Sequence, residues 1–465
     1  MSGIAKLLYD YSPVMLQTVL LNGYAVKLHL RQFRGGFSRE LNQLLESQWW
    51  LPEQLEHYQN ERLKALIKHA YHTVPYYQDV MKDRRLTPED IRTVADLCKL
   101  PILTRETIQK NSHRLISERF GKLRLIHGHT SGTTGSPWQF YWDRNTCIFN
   151  NAVDWRQKEW AGMKFGEPYA VLLGRMIVPP KVKKPPFWRM NYLHNQLWLS
   201  SFHMNDENLP HYIAKLEGFK PVALEGYPST IYILARYLDH LRKTFPLRAV
   251  LTSSEPLLSS QRELMERVFD CKVFDFYGLA ERVIFATECE KHQGHHLNSE
   301  YGIAEILDKD NLPCPTGKFG RLIGTSLHNF AMPFIRYLTR DVTAIREECC
   351  SCGRALPLID DIVTKDEDIV ITPDGRLISP SVLTHVFKPL DGILESQIIQ
   401  EDVCTIRVRV VRSEGYREEY TSKLVDGLSE RLGSQVKIEV EFVEAIERTA
   451  SGKFRWVISK VPLPF

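Results

Sequence analysis

The sequence predicts an α/β fold: a helical amino-terminal region, a large layered core and a small α+β carboxyl-terminal lobe. Three observations carry this reading. Apolar residues between 40 and 100 recur at helical steps, the middle alternates short β-rich runs with helical ones, and the end switches to two-residue alternation around a single helical pattern. At 465 residues the chain is long for one domain and suits one large domain plus one small one.

In the first region Leu55, Tyr58, Leu63, Leu66, Ile67 and Ala70 lie three or four residues apart until Pro75 stops the pattern. The next distinctive stretch reads His127-Gly-His-Thr-Ser-Gly-Thr-Thr-Gly-Ser-Pro-Trp138. Its glycines Gly132 and Gly135 let the backbone come close to a phosphate, and the hydroxyls of Thr130, Ser131, Thr133 and Thr134 add neutral donors. No Gly-Lys-Ser/Thr follows to open a helix, so this is not a Walker loop; Trp138 to Trp142 reads as a strand instead. Further along, Ala170-Val-Leu-Leu173 and Arg248-Ala-Val-Leu251 read as strands, and Ser229 to Leu241 and Ser260 to Phe269 as helices. At the end, Ile406, Val408 and Val410 alternate with Arg407 and Arg409, and Val436, Ile438, Val440 and Phe442 with Lys437, Glu439 and Glu441. Between them Leu424, Val425, Leu428 and Leu432 mark a helix, which gives a right-handed crossover if the strands are parallel. The charged run Thr364-Lys-Asp-Glu-Asp368 sets the boundary, dividing the chain into residues 1–363 and 364–465.

Composition removes several function classes. A hydrophobic share of 43% with 25% charged residues is that of a soluble globular protein, and a dispersed net charge of +4 argues against nucleic acid as a partner. No uncharged apolar stretch reaches the length of about 18 residues that a membrane span needs, and the amino terminus has neither the basic start nor the cleavage site of a signal peptide. The expected location is therefore cytoplasmic. The segment Pro179-Pro-Lys-Val-Lys-Lys-Pro-Pro-Phe-Trp-Arg189 reads as a rigid surface loop, with peripheral attachment to the inner, anionic face of a membrane as the alternative. Nine cysteines, an odd number without regular spacing, do not form a secreted disulfide framework. Cys289 with His292, His295 and His296, and Cys349-Cys350-Ser-Cys352 before Gly353, instead read as two half-sites of the thiolate and imidazole ligands that tetrahedral zinc prefers; free cysteines and a surface histidine cluster are the alternative.

Four blocks occur in order: the loop 130–135, Phe274-Asp-Phe-Tyr277-Gly278-Leu-Ala-Glu281, Ile335-Arg-Tyr-Leu-Thr-Arg-Asp341 and Arg448-Thr-Ala-Ser-Gly-Lys453-Phe-Arg455. Their order and separations resemble the adenylate-forming superfamily of acyl-CoA synthetases, peptide-synthetase adenylation domains and luciferases. Gln59-Asn-Glu-Arg-Leu63, Val74-Pro-Tyr-Tyr77 and Leu100-Pro-Ile-Leu-Thr104 look like its phenylacetate-CoA ligase branch. Pro186-Phe-Trp-Arg189, Asn195-Gln-Leu197 and Ser200-Ser-Phe-His203 are similar to the CapK-type proteins of capsule-polysaccharide clusters.

The resemblance implies a large adenylation core and a small mobile lobe that turns on a hinge at Glu367 and Asp368. It implies that the loop from Thr130 to Gly135 holds the β- and γ-phosphates of ATP, that Glu281 holds Mg²⁺, and that Lys453 bridges the substrate carboxylate and the α-phosphate. Tyr277 would lie against adenine, Gly278 would admit close backbone approach, Ser254, Glu255 and Pro256 would line the base, and Asp341 would accept the ribose hydroxyls. His203 falls near the acyl pocket and would orient the carboxylate, a core histidine being the alternative. Cys289, His296, Cys350 and Cys352 form the implied structural zinc set, with four ligands and no open position. Two departures stand out. Trp138 replaces the lysine or threonine common after the loop, and Thr364-Lys365 replaces the hinge Gly-Arg, leaving Lys365 or Arg354 to supply the missing cation.

The leading functional expectation is an AMP-forming carboxylate ligase that uses ATP and Mg²⁺ and passes the acyl group to coenzyme A. An amide- or ester-forming ligase on a sugar acid, amino acid or hydroxy acid is the second reading. A silent scaffold of a glycan assembly complex is the third, and the intact Lys453, Glu281 and Asp341 argue against it.

Overall fold

In the computed structural model the described residues are 9–129, 139–175, 177–179, 182–204, 207–362, 370–373, 377–378, 383, 386–387, 390, 392–447 and 455–461. The amino-terminal region comprises α1 (Val14–Gln32), α2 (Phe37–Ser47), α3 (Pro52–Thr73) and α4 (Pro75–Asp83). Leu63, Leu66, Ile67 and Ala70 of α3 are fully buried, which is the stripe the spacing predicts. Pro75 both ends α3 and starts α4, because at a first helical position its missing N–H costs nothing. The helical expectation fails over residues 84–100. There Arg85 takes φ of 55°, and the short 3₁₀ turns Pro88–Asp90 and Val94–Lys99 follow. Asp90 and Asp96 accept the backbone N–H groups of Thr87 and Thr93 at 2.8 and 3.0 Å, a local bonding that competes with helix propagation.

Strands β1 (Ile126–His129) and β2 (Gln139–Trp142) pair antiparallel, with the Thr130–Trp138 stretch between them lying outside the described residues. Helix α5 (Arg144–Trp160) follows, its first turn capped by Asp143, whose Oδ1 accepts from the Thr146 N–H and hydroxyl at 2.7 Å each. Asp143→Ala is expected to lower stability by about 1–2 kcal/mol, read as an earlier urea midpoint at unchanged slope.

The core is a nine-stranded sheet. Its strands are β3 (Tyr169–Leu172), β4 (Trp188–Asn191), β5 (Gln196–Leu199), β6 (Ala223–Gly226), β7 (Ala249–Ser253), β8 (Lys272–Gly278), β9 (Phe285–Glu288), β10 (His295–Leu297) and β14 (Leu358–Ile359), in the spatial order β14-β10-β9-β8-β7-β6-β3-β5-β4. The run β5-β3-β6-β7-β8 is parallel, and its strand β3 reads as a continuous apolar stretch, buried at every position because both faces are covered. Helices α6 (Leu209–Phe219), α7 (Pro228–His240) and α8 (Ser259–Phe269) supply one cover, and α2 and α5 pack in the cluster on the other side. A three-stranded antiparallel sheet, β11 (Gly302–Leu307), β12 (Gly320–Ser326) and β13 (Tyr337–Thr343), stands beside it. Leu103, in the Leu100–Thr104 segment, is held to β13 by Leu103 N–H to the Arg336 carbonyl at 2.8 Å and Leu338 N–H to the Leu103 carbonyl at 3.0 Å.

Past a short pair, β15 (Val370–Ile371) and β16 (Leu377–Ile378), the carboxyl-terminal residues form a four-stranded sheet. Its strands are β17 (Ile393–Asp402), β18 (Thr405–Arg412), β19 (Lys437–Phe442) and β20 (Val457–Ser459), in the order β19-β18-β17-β20, with helix α9 (Glu418–Leu432) joining β18 to β19. The β18 and β19 strands are parallel, so α9 is the crossover expected from the alternation pattern, and its Leu424, Leu428 and Leu432 are buried. The long β17 was not foreseen: its Ile398 and Ile399 are both buried, which breaks the alternation that marks a half-exposed strand.

Candidate active site

Parallel strands end together, and the loops beyond their carboxyl ends make the crevice in which open α/β sheets bind ligands. Here β7 delivers Ser254, Glu255 and Pro256, and β8 delivers Tyr277, Gly278 and then Glu281. Glu255 is buried at the amino terminus of α7, where its Oε2 accepts the Ser229 N–H at 3.2 Å and the helix dipole favours the anion. Ser254 is exposed with φ of 69°, Arg282 has 59° and Arg336 has 56°. Ser254 and Arg282 follow β7 and β8, where left-handed non-glycine backbone is local strain of the kind found at binding sites, whereas the Arg336 side chain turns to Glu305.

The strand β13 crosses below and completes two carboxylate pairs. The Tyr277 hydroxyl donates to Asp341 Oδ2 at 2.5 Å, and the Tyr337 hydroxyl donates to Glu281 Oε1 at 2.9 Å. Burial and then the neighbouring carboxylate, Asp341 for Tyr277 and Glu281 for Tyr337, push both phenols well above the usual tyrosine range. Each therefore stays a donor that fixes one carboxylate oxygen. Gly278 is exposed, and a Cβ built there would meet only ordinary contacts, Phe276 and Phe285 at 3.6 Å. Packing within the fold does not demand glycine at this place.

Beside Glu281 lies a polar group that the sequence reading did not single out. The Arg282 guanidinium sits 3.9 Å from the Trp142 ring centroid. Arg282 Nη1, Trp142 Nε1 and His328 Nε2 are buried without a hydrogen-bond partner. His328 Nδ1 lies 2.8 Å from the Tyr301 carbonyl, so it carries the proton and Nε2 is an acceptor. Burial, with help from the Arg282 charge, lowers its pKa to about 3 and keeps the ring neutral. Unmet donors and an unmet acceptor next to one another suit a hydroxyl- or carboxyl-bearing ligand. The signal was present in the chain order, since Arg282 directly follows Glu281.

The four zinc-set residues converge. The ligand atoms of Cys289, His296, Cys350 and Cys352 all lie within 4.8 Å of one another, with Cys289 and Cys350 sulfurs 3.5 Å apart and Cys352 Sγ 3.5 Å from His296 Nε2. A tetrahedral zinc with bonds near 2.3 Å needs ligand separations of roughly 3.8 Å, so the set fits the ion. His296 Nδ1 lies 3.1 Å from the Leu356 carbonyl, which turns Nε2 to the thiols, and burial lowers its pKa to about 4, keeping that lone pair available. Burial pushes the Cys289 thiol up, whereas at Cys352 the Arg354 N–H and guanidinium outweigh burial and bring the thiol down. The choice among three histidines follows from strand geometry. His295 and His296 are successive on β10 and face opposite ways; His295 Nε2 meets Asp275 at 3.2 Å and His292 Nδ1 lies 3.5 Å from Glu288.

Two assignments need correction. Arg354, expected to replace a hinge arginine at the ribose or phosphate, belongs to the thiol cluster. Its guanidinium lies 4.8 Å from the Trp49 ring and 4.3 Å from the Trp160 ring and bonds Glu290 at 3.0 Å and Gln48 at 3.2 Å. That leaves Arg354 holding the cluster shut rather than reaching a nucleotide. His203, expected to orient a carboxylate, has both ring nitrogens engaged, Nδ1 at 2.7 Å from Ser200 Oγ and Nε2 at 3.2 Å from the Pro179 carbonyl, with the ring stacked on Phe187. It is a core histidine. Thr130, Ser131, Gly132, Thr133, Thr134, Gly135, Lys365 and Lys453, with the hinge acids Glu367 and Asp368, lie outside the described residues.

Comparison with known proteins places this geometry. Residues 370–460 match the model of the CapK C-terminal domain. Over 461 residues the chain is 27% identical to protein CapK of Staphylococcus aureus, covering 98% of this chain and 99% of that one. It is 26% identical over 410 residues to a phenylacetate-coenzyme A ligase of Thermus thermophilus, covering 85% and 86%. Among solved structures, 2-hydroxyisobutyryl-CoA ligase in the postadenylation state superimposes with a TM-score of 0.72 at 18% identity, covering 89% of this chain and 91% of that one, a likeness of fold.

Proposed function

We propose, taking as premise a chain related along its length to CapK and to the phenylacetate-coenzyme A ligases, that this protein is an ATP-dependent, AMP-forming carboxylate ligase. A carboxylate oxygen attacks the α-phosphorus of ATP, pyrophosphate leaves, and an acceptor nucleophile then takes the acyl group and releases AMP. The observation that carries the reading is the pair of phenol-fixed carboxylates, Asp341 on β13 against Tyr277 of β8, and Glu281 just past the end of β8. Asp341 accepts the ribose hydroxyls, and Tyr277 backs the adenine. Glu281 holds Mg²⁺, which offsets the repulsion between the two approaching anions. In this reading residues 1–363 bind ATP and the acyl group, residues 364–465 form the lobe that brings Lys453 and Lys365, and the loop from Thr130 to Gly135 wraps the terminal phosphates. Zinc in the Cys289, His296, Cys350, Cys352 cluster staples the fold and takes no part in the chemistry, because four protein ligands close its coordination.

The acceptor in this reading is coenzyme A. A second reading is favoured by the unmet polar atoms of Arg282, Trp142 and His328: an acyl group carrying hydroxyl or carboxyl substituents, such as a sugar acid or hydroxy acid, joined to an amine or hydroxyl in surface-glycan synthesis. One panel separates them: pyrophosphate release scored for aromatic, aliphatic, hydroxy and uronic acids, each with and without coenzyme A. No pyrophosphate–ATP exchange with any acid would leave the scaffold role. Asp341→Asn is expected to raise the KM for ATP about tenfold with a smaller change in kcat, because the ribose contact persists from ground state to transition state.

A further inference from the structure

Helix α1 is amphipathic in the reverse sense. Its buried stripe is Gln17, Leu21 and Ala25, and the amides of Gln17 and Asn22 point inward while Lys27 is exposed. The Gln17 amide donates to the Tyr9 carbonyl at 3.0 Å and accepts from Arg189 Nε at 3.1 Å, and the Asn22 amide donates to the Met190 carbonyl at 2.8 Å. The opposite stripe steps by helical intervals through Met15, Val19, Val26 and Leu30, with Leu16 and Leu20 beside it, and all six are exposed, Met15 by 84% and Val19 by 65%. A helix on a water-facing surface carries the opposite pattern. Clamped in this pose by its own amides, α1 presents a continuous aliphatic strip, not the scattered apolar residues of an ordinary surface.

The neighbouring segment extends the strip. The Tyr9 hydroxyl donates to the Ile177 carbonyl at 2.6 Å and the Tyr192 N–H to Asn22 Oδ1 at 2.9 Å, which seats the described residues 177–179 and 182–193 against α1. Tyr192 is 71% and Leu193 45% exposed. Charge selects the occupant. Residues 11–38 contain Lys27, Arg31 and Arg34 and no acid, and residues 177–193 contain Lys181, Lys183, Lys184 and Arg189 and again no acid. A second copy docked through this face would set these cations against themselves, whereas an anionic surface complements them.

We propose that α1 and the 177–193 segment dock this protein on an anionic phospholipid bilayer. The helix, about 28 Å long, lies in the headgroup plane with Met15, Leu16, Val19, Leu20, Val26 and Leu30 in the acyl boundary and Lys27, Lys183 and Lys184 among the phosphates. It lies on the bilayer and does not cross it, since no helix among the described residues is long and apolar enough to span one. The inference is independent of the ligase reading.

Flotation of the full-length protein with vesicles tests it, using phosphatidylcholine alone and phosphatidylcholine in which one third is replaced by phosphatidylglycerol. The anionic vesicles are expected to hold at least about tenfold more protein, less as salt is raised. Val19→Glu with Leu30→Glu is expected to lower that binding at least about tenfold with the melting temperature unchanged, since both side chains face solvent. Lys27→Glu with Lys184→Glu is expected to erase the preference for anionic lipid. Equal flotation of the parent and the Val19/Leu30 double variant, or equal binding to both vesicle types, would overturn the proposal. A parent that ignores vesicles but sediments as a dimer split by Val19→Glu would give the face to a second copy instead.

Discussion

Lys453→Ala is expected to slow acyl-adenylate formation by at least about a hundredfold while leaving the capture of supplied acyl-AMP by its acceptor largely intact. The ammonium in this reading meets the α-phosphate only as negative charge gathers there, so its loss falls on the transition state of the first half-reaction, and a contact of that type is worth roughly 2.7–4 kcal/mol. Rapid-quench measurement of each half-reaction separates the two. Equal losses in both would remove Lys453 from this role and point to a lobe that no longer docks. Glu281→Gln gives the contrast, because a ligand to Mg²⁺ should respond to raised metal concentration and Lys453→Ala should not.

Removal of one thiol from the cluster should have the second large effect. Purified protein is expected to carry close to one zinc per chain, and Cys352→Ser to lower the zinc content and the melting temperature together. Losing a direct ligand costs at least the hundredfold in affinity of a lost outer partner, roughly 3 kcal/mol, which in a large domain is about 5–10 °C. Parent protein that is metal-free and equally stable would show the cluster to be four reduced side chains and nothing more. Arg354→Met probes the surroundings: it keeps the backbone N–H that meets Cys352 but removes the guanidinium beside that thiol and between Trp49 and Trp160, and should loosen the metal without removing a ligand.

What could be read from the chain depended on whether the signal was local. The stripe of α3, the parallel strands β3 and β7, the helices α7 and α8 and the β18-α9-β19 unit follow from periodicities a few residues long. The turns over residues 84–100 escaped because Asp90 and Asp96 cap in place of continuing a helix, a side-chain effect that apolar spacing does not register. Tyr277, Glu281 and Asp341 were recognised as blocks, yet the contact that organises them comes from Tyr337, which is separated from Glu281 by the β9 to β12 strands. His203 and Arg354 show the reverse error. A titratable or cationic residue near a motif in sequence was given to the motif, while the fold gives it to Phe187 in one case and to two tryptophans in the other. The exposed aliphatic strip of α1 went unread because an aliphatic helix looks the same in sequence whichever side it buries.

The position of β14 in the large sheet sets an order on biosynthesis. This edge strand pairs with β10, yet the chain must first travel out through the separate β11-β12-β13 sheet before it returns. During vectorial synthesis the ribosome therefore releases Cys289 and His296 long before Cys350 and Cys352 exist to meet them. Closure of the thiol cluster is a long-range event, since Cys289 meets Cys350 across 61 residues of chain. The nascent large domain thus waits with its β10 edge open until β14 pairs with it, and that pairing seals the edge against another chain.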